Sequence, residues 1–213
     1  MRTEIKATAL SVVIALGLTL TACASPAAQL GGAGVQSAGT FEYHADYPAF
    51  DSLGQIEDAA DAVVEVVFTG ESRTYELLPI APEDPTDPEQ NPAYGAPPAP
   101  ADQQAQQAPP IIVTAYTATV VGTTKGDLNI GDIIEIKQLG GESDGATFTA
   151  SHETSLAGTD AALVFLSGSG DDPYSLVSPN EGQYPQEAGG SYVPLAENEA
   201  GVTPEEVAAL VEQ

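Results

Sequence analysis

The sequence predicts a mainly β (α+β) protein with one β-rich domain, a short helix near each end of that domain, and a disordered insertion within it. Apolar runs rich in β-branched residues recur between clusters of Gly, Asp and Asn, as is typical of antiparallel strands. Two short segments carry helix-capping patterns. A proline- and glutamine-rich segment separates the first apolar runs from the others. We therefore expect a single domain over residues 48–213, interrupted at 81–110.

The strands are predicted from short apolar runs. The run Ala62–Phe68 is almost continuously apolar, which favours a strand buried on both faces. We expect a second strand from Tyr75 onward to form a hairpin with it through a turn at 69–74. A longer strand should return through a turn rich in Gly, Asp and Asn. The expected strands are 62–68, 75–80, 111–122, 133–140 and 163–166, with weaker candidates at 173–178 and 191–195.

Both predicted helices are identified by their first turns. Ser52 is followed three residues later by Gln55, which is the spacing of a capping box, and apolar residues then recur at helical spacing. Near the C-terminus, Thr203 is a second N-cap candidate, with Pro204 at the first helical position and Glu206 completing the box. Val207, Leu210 and Val211 form one apolar stripe on this helix, so the domain should carry a short helix at each end.

The insertion at 81–110 contains nine prolines and five glutamines. Proline cannot donate a hydrogen bond to a sheet, and the segment has almost nothing apolar to bury, so we expect it to be disordered. It contains P-x-x-P spacings such as Pro97 to Pro100, which could dock into an aromatic groove. That spacing is common in any proline-rich stretch, so we interpret the segment as an extended insertion within one domain.

Residues 1–22 have the layout of a secretory signal peptide. Arg2 and Lys6 lie in a short polar start, and an apolar segment follows from Ala7 to Leu20. Its 14 residues are fewer than the roughly 20 that a helix needs to cross the hydrocarbon core of a membrane. The segment is therefore poorly suited to be a permanent membrane span.

The residues Leu20-Thr21-Ala22-Cys23 resemble the bacterial lipobox. The resemblance implies that signal cleavage occurs between Ala22 and Cys23, and that the Cys23 sulfur carries a diacylglyceryl group. Two or more fatty-acyl chains, palmitate among them, would hold the protein stably on the outer face of the cell membrane, with 23–47 as a flexible tether. Cys23 is the only cysteine, so an intramolecular disulfide is impossible. An uncleaved membrane anchor remains the alternative, and it would leave the domain on the same face.

The charge of the chain limits its partners. The formal net charge is −26 at pH 7, and beyond the first 22 residues the cationic side chains are Arg73, Lys125 and Lys137. Binding to nucleic acid depends on Lys and Arg, so no nucleic-acid partner is expected. The acidity would suit a basic partner, divalent cations or simple solubility. No cluster of lysines is present to hold an anionic membrane, so contact with the membrane should depend on the lipid.

Segments over most of the region Leu53–Tyr184 resemble a group of secreted or lipid-anchored actinobacterial proteins of uncharacterised function. The matching segments are ADAVVEVVFTG, YTATVVGTTKGDLNIGDIIEIKQLGG, GTDAALVFLSG and PYSLVSPNEGQY. The hairpin around Lys125-Gly126 and Gly131-Asp132 also resembles that of small OB-type barrels, including the netrin and metalloprotease-inhibitor kind, although their disulfides are missing here. The resemblance implies a small antiparallel OB-like β-barrel and supplies no catalytic residue.

Ser143 is the one candidate nucleophile, since Gly141–Gly145 matches the G-x-S-x-G pattern. A nucleophile elbow needs a strand, a sharp turn and then a helix. The segment after Ser143 is rich in Thr and Ser and has no helical periodicity. We therefore predict a loop serine and no enzymatic activity.

Candidate metal ligands are few and poorly spaced. His44 and His152 have no second ligand nearby at the spacing of a zinc site. Asp127, Asn129 and Asp132 offer oxygen ligands for calcium, but the run lacks the alternation and the distal glutamate of an EF-hand loop. A hairpin turn explains these three residues, and we expect no metal and no cofactor.

Taken with the lipobox, these features predict a lipid-anchored envelope protein that displays a non-enzymatic β-barrel module for binding another envelope protein or a small ligand. An acidic structural or homeostatic lipoprotein without a specific ligand is the main alternative. A hydrolase would depend on Ser143 alone. A concave apolar pocket with converging polar groups would favour the binding module.

Overall fold

The computed structural model describes residues 39–78, 84, 86–87, 89, 94–95, 110–168, 170 and 172–212, all within one compact unit. Two short helices accompany nine strands in these ranges. Most of the predicted insertion, the predicted signal peptide with its cleavage residue Ala22, and the predicted lipidation residue Cys23 lie outside the described residues. The elements are β1 (Thr40–Tyr43), α1 (Leu53–Ala59), β2 (Ala62–Glu76), β3 (Ile112–Lys125), β4 (Ile133–Leu139), β5 (Gly141–Ser143), β6 (Ala146–Ala150), β7 (Ala161–Ser167), β8 (Tyr174–Leu176), β9 (Gln183–Pro185) and α2 (Pro204–Val211).

Five strands pair in a closed circuit. The order is β2-β3-β4-β8-β7, and β7 returns to pair with β2. Every pair in the circuit is antiparallel except β4 with β8, which is parallel over Ile136–Tyr174 and Lys137–Ser175. β2 therefore lies between β3 and β7, and both of these neighbours follow the insertion in the chain.

β8 and β9 lie along the same edge of β7. β8 pairs with the end of β7 through Leu166, and β9 pairs with its beginning through Leu163. Between them the chain leaves the ladder at Val177 and returns at Gly182, and both residues still bond to the backbone of Phe165. Only β8 reaches β4, so the circuit is open beside the last residues of β4.

Both faces of β7 and of the first part of β2, as far as Val66, are buried. Alternate side chains such as Val64 and Val164 enter a core inside the circuit, and the intervening ones such as Val63 and Phe165 enter a second core under α1 and α2. This explains the nearly continuous apolar runs and confirms the prediction of strands buried on both faces. The core inside the circuit consists of Ala62, Val64, Val66, Ala118, Val120, Ile134, Ile136, Leu156, Ala162, Val164, Leu166 and Leu176.

The two helices begin where their capping patterns predict. The Ser52 side chain accepts a hydrogen bond from the Gln55 N–H, and Thr203 and Glu206 form a reciprocal capping box. Ile56 of α1 and Val207 of α2 are fully buried in the second core. Each helix therefore covers the outer face of β2 and β7.

A small three-stranded sheet stands beside the circuit. β5 and β6 form a hairpin whose turn residues, Asp144 and Gly145, both have positive φ, and β1 pairs with β6 in parallel. Phe41 and Tyr43 of β1 stack on Phe148 of β6 with ring centroids 5.0 and 5.9 Å apart. β1 thus lies inside the range expected to be tether, 23–47, and it carries the chain to the edge of the circuit.

The hairpin predicted through residues 69–74 is wrong. β2 continues from Ala62 to Glu76 as one strand, and its register against β3 shifts between Phe68 and Ser72. Gly70 lies within this bulge at φ +81°. A bulge accommodates extra residues without ending a strand, so the Gly-containing segment bends β2 and does not reverse it.

The mainly β class with two short helices is shown by these elements. Within the described ranges, no helix combines the length and the apolar character needed to cross a membrane.

Candidate functional site

An apolar cavity of about 170 Å³ lies on the outer face of β3 and β4. Residues paired directly across an antiparallel ladder share a face, and Val113 pairs with Leu139. Lys137 lies two residues before Leu139 and therefore on the same face, opposite to the core residues Ile134 and Ile136. The apolar lining residues are Leu77, Val113, Leu139, Leu176 and Pro179.

Polar side chains converge on this apolar cavity. They come from β4, from β8, from the segment after β1 and from the segment after β6. An apolar pocket with a few converging polar groups is the usual form of a small-molecule site in proteins. The polar lining residues are Tyr47, Lys137, Gln138, Glu153 and Ser175.

The Tyr47 hydroxyl donates a hydrogen bond of 2.5 Å to Oε1 of Glu153. Burial raises the pKa of the Glu153 carboxyl, although the bond from Tyr47 acts in the opposite direction. Burial also raises the pKa of Tyr47, and the neighbouring Glu153 adds to that increase. Burial therefore destabilises the ionised Glu153 carboxylate by more than the hydrogen bond from Tyr47 stabilises it. A cation placed next to Glu153 would therefore be stabilised.

Two glutamines position the segment that carries Glu153. The Gln138 side chain donates to the Thr154 carbonyl at 2.8 Å and accepts from the Leu156 N–H at 2.9 Å. The Gln183 amide donates to the same Thr154 carbonyl at 2.8 Å. Both glutamines are buried, so these bonds form where water does not compete. They hold the chain across the opening between β4 and β9.

Asn180 completes this support. Its side chain accepts a hydrogen bond of 2.9 Å from the Thr154 N–H and donates one of 2.6 Å to the His152 carbonyl. The backbone on both sides of Glu153 is thus bound by side chains. Glu153 lies beyond the end of β6 at Ala150, so no strand pairing fixes its position. The hydrogen bonds to the residues on either side of it do so instead.

Lys137 is the cation of the described residues without an internal partner. Arg73 makes two hydrogen bonds of 2.7 and 2.6 Å to the carboxylate of Glu135, and Lys125 donates to the Glu57 carbonyl at 2.5 Å. Among the described residues no hydrogen bond or ion pair involves the Lys137 ammonium. Its nearest carboxylate along β4, Glu135, is already bound by Arg73. The ammonium therefore remains available at the cavity.

A second cavity, of about 250 Å³, lies on the other face of the same ladder. It shares Gln138, Leu139 and Glu153 with the first cavity and extends towards Tyr116 and Phe148. Tyr116 pairs with Ile136 and therefore lies on the face of the ladder opposite to Val113 and Leu139, which line the first cavity. The end of β4 is thus accessible from both sides of the sheet.

The candidate nucleophile Ser143 ends β5 and pairs with Ala146 across a two-residue hairpin turn. The element directly after this turn is the strand β6 and not a helix, and Ser143 lines neither of the two cavities. The G-x-S-x-G pattern here is therefore a strand end and a turn, since Asp144-Gly145 is a typical type I′ hairpin sequence.

A different serine lies next to a histidine. Oγ of Ser151 is 2.9 Å from Nδ1 of His44, and the same oxygen lies 3.1 Å from the Tyr43 carbonyl. The single hydroxyl hydrogen of Ser151 can serve only one of these acceptors. When it is donated to Tyr43, His44 is the donor to Ser151 and cannot act as its base. No pattern in the sequence indicates this pair, because 107 positions separate the two residues.

The candidate calcium ligands form a turn between β3 and β4. The Asn129 N–H donates to the Asp132 carboxylate at 2.8 Å, and the Asn129 side chain donates to the Asp127 carbonyl at 3.3 Å. His152 lies elsewhere, with its backbone at φ +62°. Among the described residues, no group of three or more His, Cys, Asp or Glu side chains is arranged to hold a metal ion.

Comparison with known proteins gives no relative: no family model, no curated protein and no solved structure matches this chain.

Proposed function

We propose that this protein is a lipid-anchored protein of the cell envelope, held on the outer face of the membrane through Cys23, whose β-rich unit is a non-enzymatic binding module. The observation that carries the proposal is the apolar cavity lined by Leu77 and Leu176. Lys137 and the hydrogen-bonded pair Tyr47 and Glu153 also line this cavity. The anchor is supported by the sequence from Leu20 to Cys23 and by the single cysteine of the chain.

The closed circuit of five strands supports an OB-like barrel as the scaffold. Three strands follow one another as a meander, β2-β3-β4, and the last two return so that β7 lies beside β2 and β8 beside β4. A five-stranded Greek-key arrangement of this kind is the architecture of OB-folds, which bind ligands on an exposed strand face and its loops. In this protein the cavity lies on the outer face of β3 and β4.

The alternative, an envelope lipoprotein without a specific ligand, is supported by the interior of the circuit. That interior is filled by side chains such as Val64, Val120 and Ile136, which are fully buried. The packing of these side chains does not conflict with binding, because Val113, Lys137 and Leu139 line the cavity from the opposite face of β3 and β4. The binding module accounts for both features, and the alternative leaves the unpartnered Lys137 and the desolvated Glu153 without a role.

Site-specific photo-crosslinking in intact cells tests the binding proposal. A benzophenone amino acid replaces Leu77, which lines the cavity and is 40% exposed. The matched control replaces Ile130, which is 72% exposed in the turn between β3 and β4 and does not line this cavity. After irradiation, intact-mass measurement of the purified protein should show a defined adduct with the Leu77 variant and none with the Ile130 variant. The same adduct on both variants, or none on either, would contradict the proposal.

A further inference from the structure

Two side chains of opposite charge line the same apolar cavity without pairing with each other. Lys137 and Glu153 both contribute to its wall, yet no ion pair within 4.0 Å joins them. The ammonium of Lys137 has no partner among the described residues, and Oε2 of Glu153 accepts no hydrogen bond there. A small ligand that carries both a carboxylate and an ammonium would complement both groups.

The size of the cavity limits the apolar part of that ligand. Its volume, about 170 Å³, is close to that of an apolar cavity of roughly 150 Å³ that accepts a benzene ring. The apolar part of the cavity wall includes Val113, Leu139 and Leu176. A branched aliphatic side chain matches this space and this surface, whereas a long acyl chain or a folded peptide segment does not.

We infer that the cavity binds a free amino acid with an apolar side chain, such as leucine, with its carboxylate on Lys137 and its ammonium on Glu153. This inference rests on the proposed binding function and specifies its ligand class. The buried side chains of Gln138 and Gln183 bind the backbone next to Glu153, so the Glu153 carboxylate is held in place before the ligand binds. Such preorganisation lowers the entropic cost of binding.

Isothermal titration calorimetry with three related molecules tests the inference on the full protein as isolated from the cells that express it. The molecules are L-leucine, 4-methylpentanoate, which lacks the ammonium, and 3-methylbutylamine, which lacks the carboxylate. Leucine should bind about tenfold to a hundredfold more tightly than either analogue, because each analogue leaves one charged group of the cavity without its hydrogen bond. Equal binding of all three molecules, or no binding of leucine, would overturn the inference.

Two variants assign the charged groups separately. Lys137→Met should remove the advantage of leucine over 3-methylbutylamine, and Glu153→Gln should remove its advantage over 4-methylpentanoate. The controls Lys125→Met and Glu142→Gln change the same charges outside the cavity, and they should keep the wild-type order of affinities. If the controls change this order as much as the cavity variants do, the assignment is overturned.

The two proposals fail in different ways. If the Leu77 variant captures a molecule in cells and leucine does not bind, the ligand class is wrong and the binding function stands. If the Leu77 variant captures nothing and leucine does not bind, both proposals are overturned.

Discussion

Replacing Phe165 by Ala is expected to cost about 3–5 kcal/mol of the free energy of unfolding. Phe165 is fully buried in β7 and meets Tyr184 edge-to-face, with ring centroids 5.5 Å apart. It also belongs to the core that Val207 and Leu210 of α2 cover. Truncation would leave a cavity that these elements can fill only by moving together. Because a domain is stable by roughly 5–15 kcal/mol in total, the loss should shift the unfolding transition strongly.

Urea denaturation followed by far-UV circular dichroism measures this effect. The control is Ile133→Ala on β4, where the side chain is 73% exposed, and its free energy of unfolding should change by no more than about 0.5 kcal/mol. If the two variants unfold at the same urea concentration, Phe165 does not occupy the core described here.

Replacing Cys23 by Ser is expected to abolish acylation completely. Cys23 carries the only thiol in the chain, and serine offers no thiol for the lipobox reaction to modify. Cells supplied with a radiolabelled or clickable fatty acid should label the wild-type protein and leave Cys23→Ser unlabelled, as an uncleaved precursor or a released soluble form. The conservative variant Thr21→Ser keeps the cysteine and should remain labelled.

Two results would contradict the lipid anchor. Fatty acid on the Cys23→Ser variant would place the lipid at another residue. A wild-type protein that carries no fatty acid, and stays in the membrane as the full precursor, would favour the uncleaved anchor instead.

The sequence predicts the elements whose signals are local. Ser52 and Thr203 mark the helix starts, since a capping box is complete within four residues. The strands buried on both faces are evident as apolar runs. The β5–β6 hairpin also has a local signal, the Asp144-Gly145 pair, but the interpretation of Ser143 as a loop serine leaves it unused.

The candidate site has almost no local signal. Tyr47 and Glu153 are 106 positions apart, and β1 joins β6 across a similar distance along the chain. Sequence spacing can relate residues on one helix face or one strand, but it contains no information on which distant segments meet. Lys137 is noticeable in the sequence only as one of few cations, and its lack of a partner follows from Arg73 binding Glu135. These contacts depend on the closed circuit, which the apolar pattern does not specify.

The chain before the insertion and the chain after it build one circuit of strands and one cavity. Tyr47 and Leu77 precede the insertion, whereas Val113 and Lys137 follow it, and all four line the cavity. β2, which precedes the insertion, is bonded on both sides by strands that follow it. Neither half could therefore keep the cavity or bury its apolar faces alone.

Brief digestion with a glutamate-specific protease, followed by native size-exclusion chromatography, tests this claim most directly. Cleavage should occur first at Glu83 or Glu89, because the sequence predicts that the insertion at 81–110 is disordered, and disordered segments are cut before hydrogen-bonded strands. The two fragments should then co-elute as one particle of the uncut size and separate only in denaturant. Fragments that separate under native conditions would contradict the single circuit, and with it the cavity proposed as the binding site.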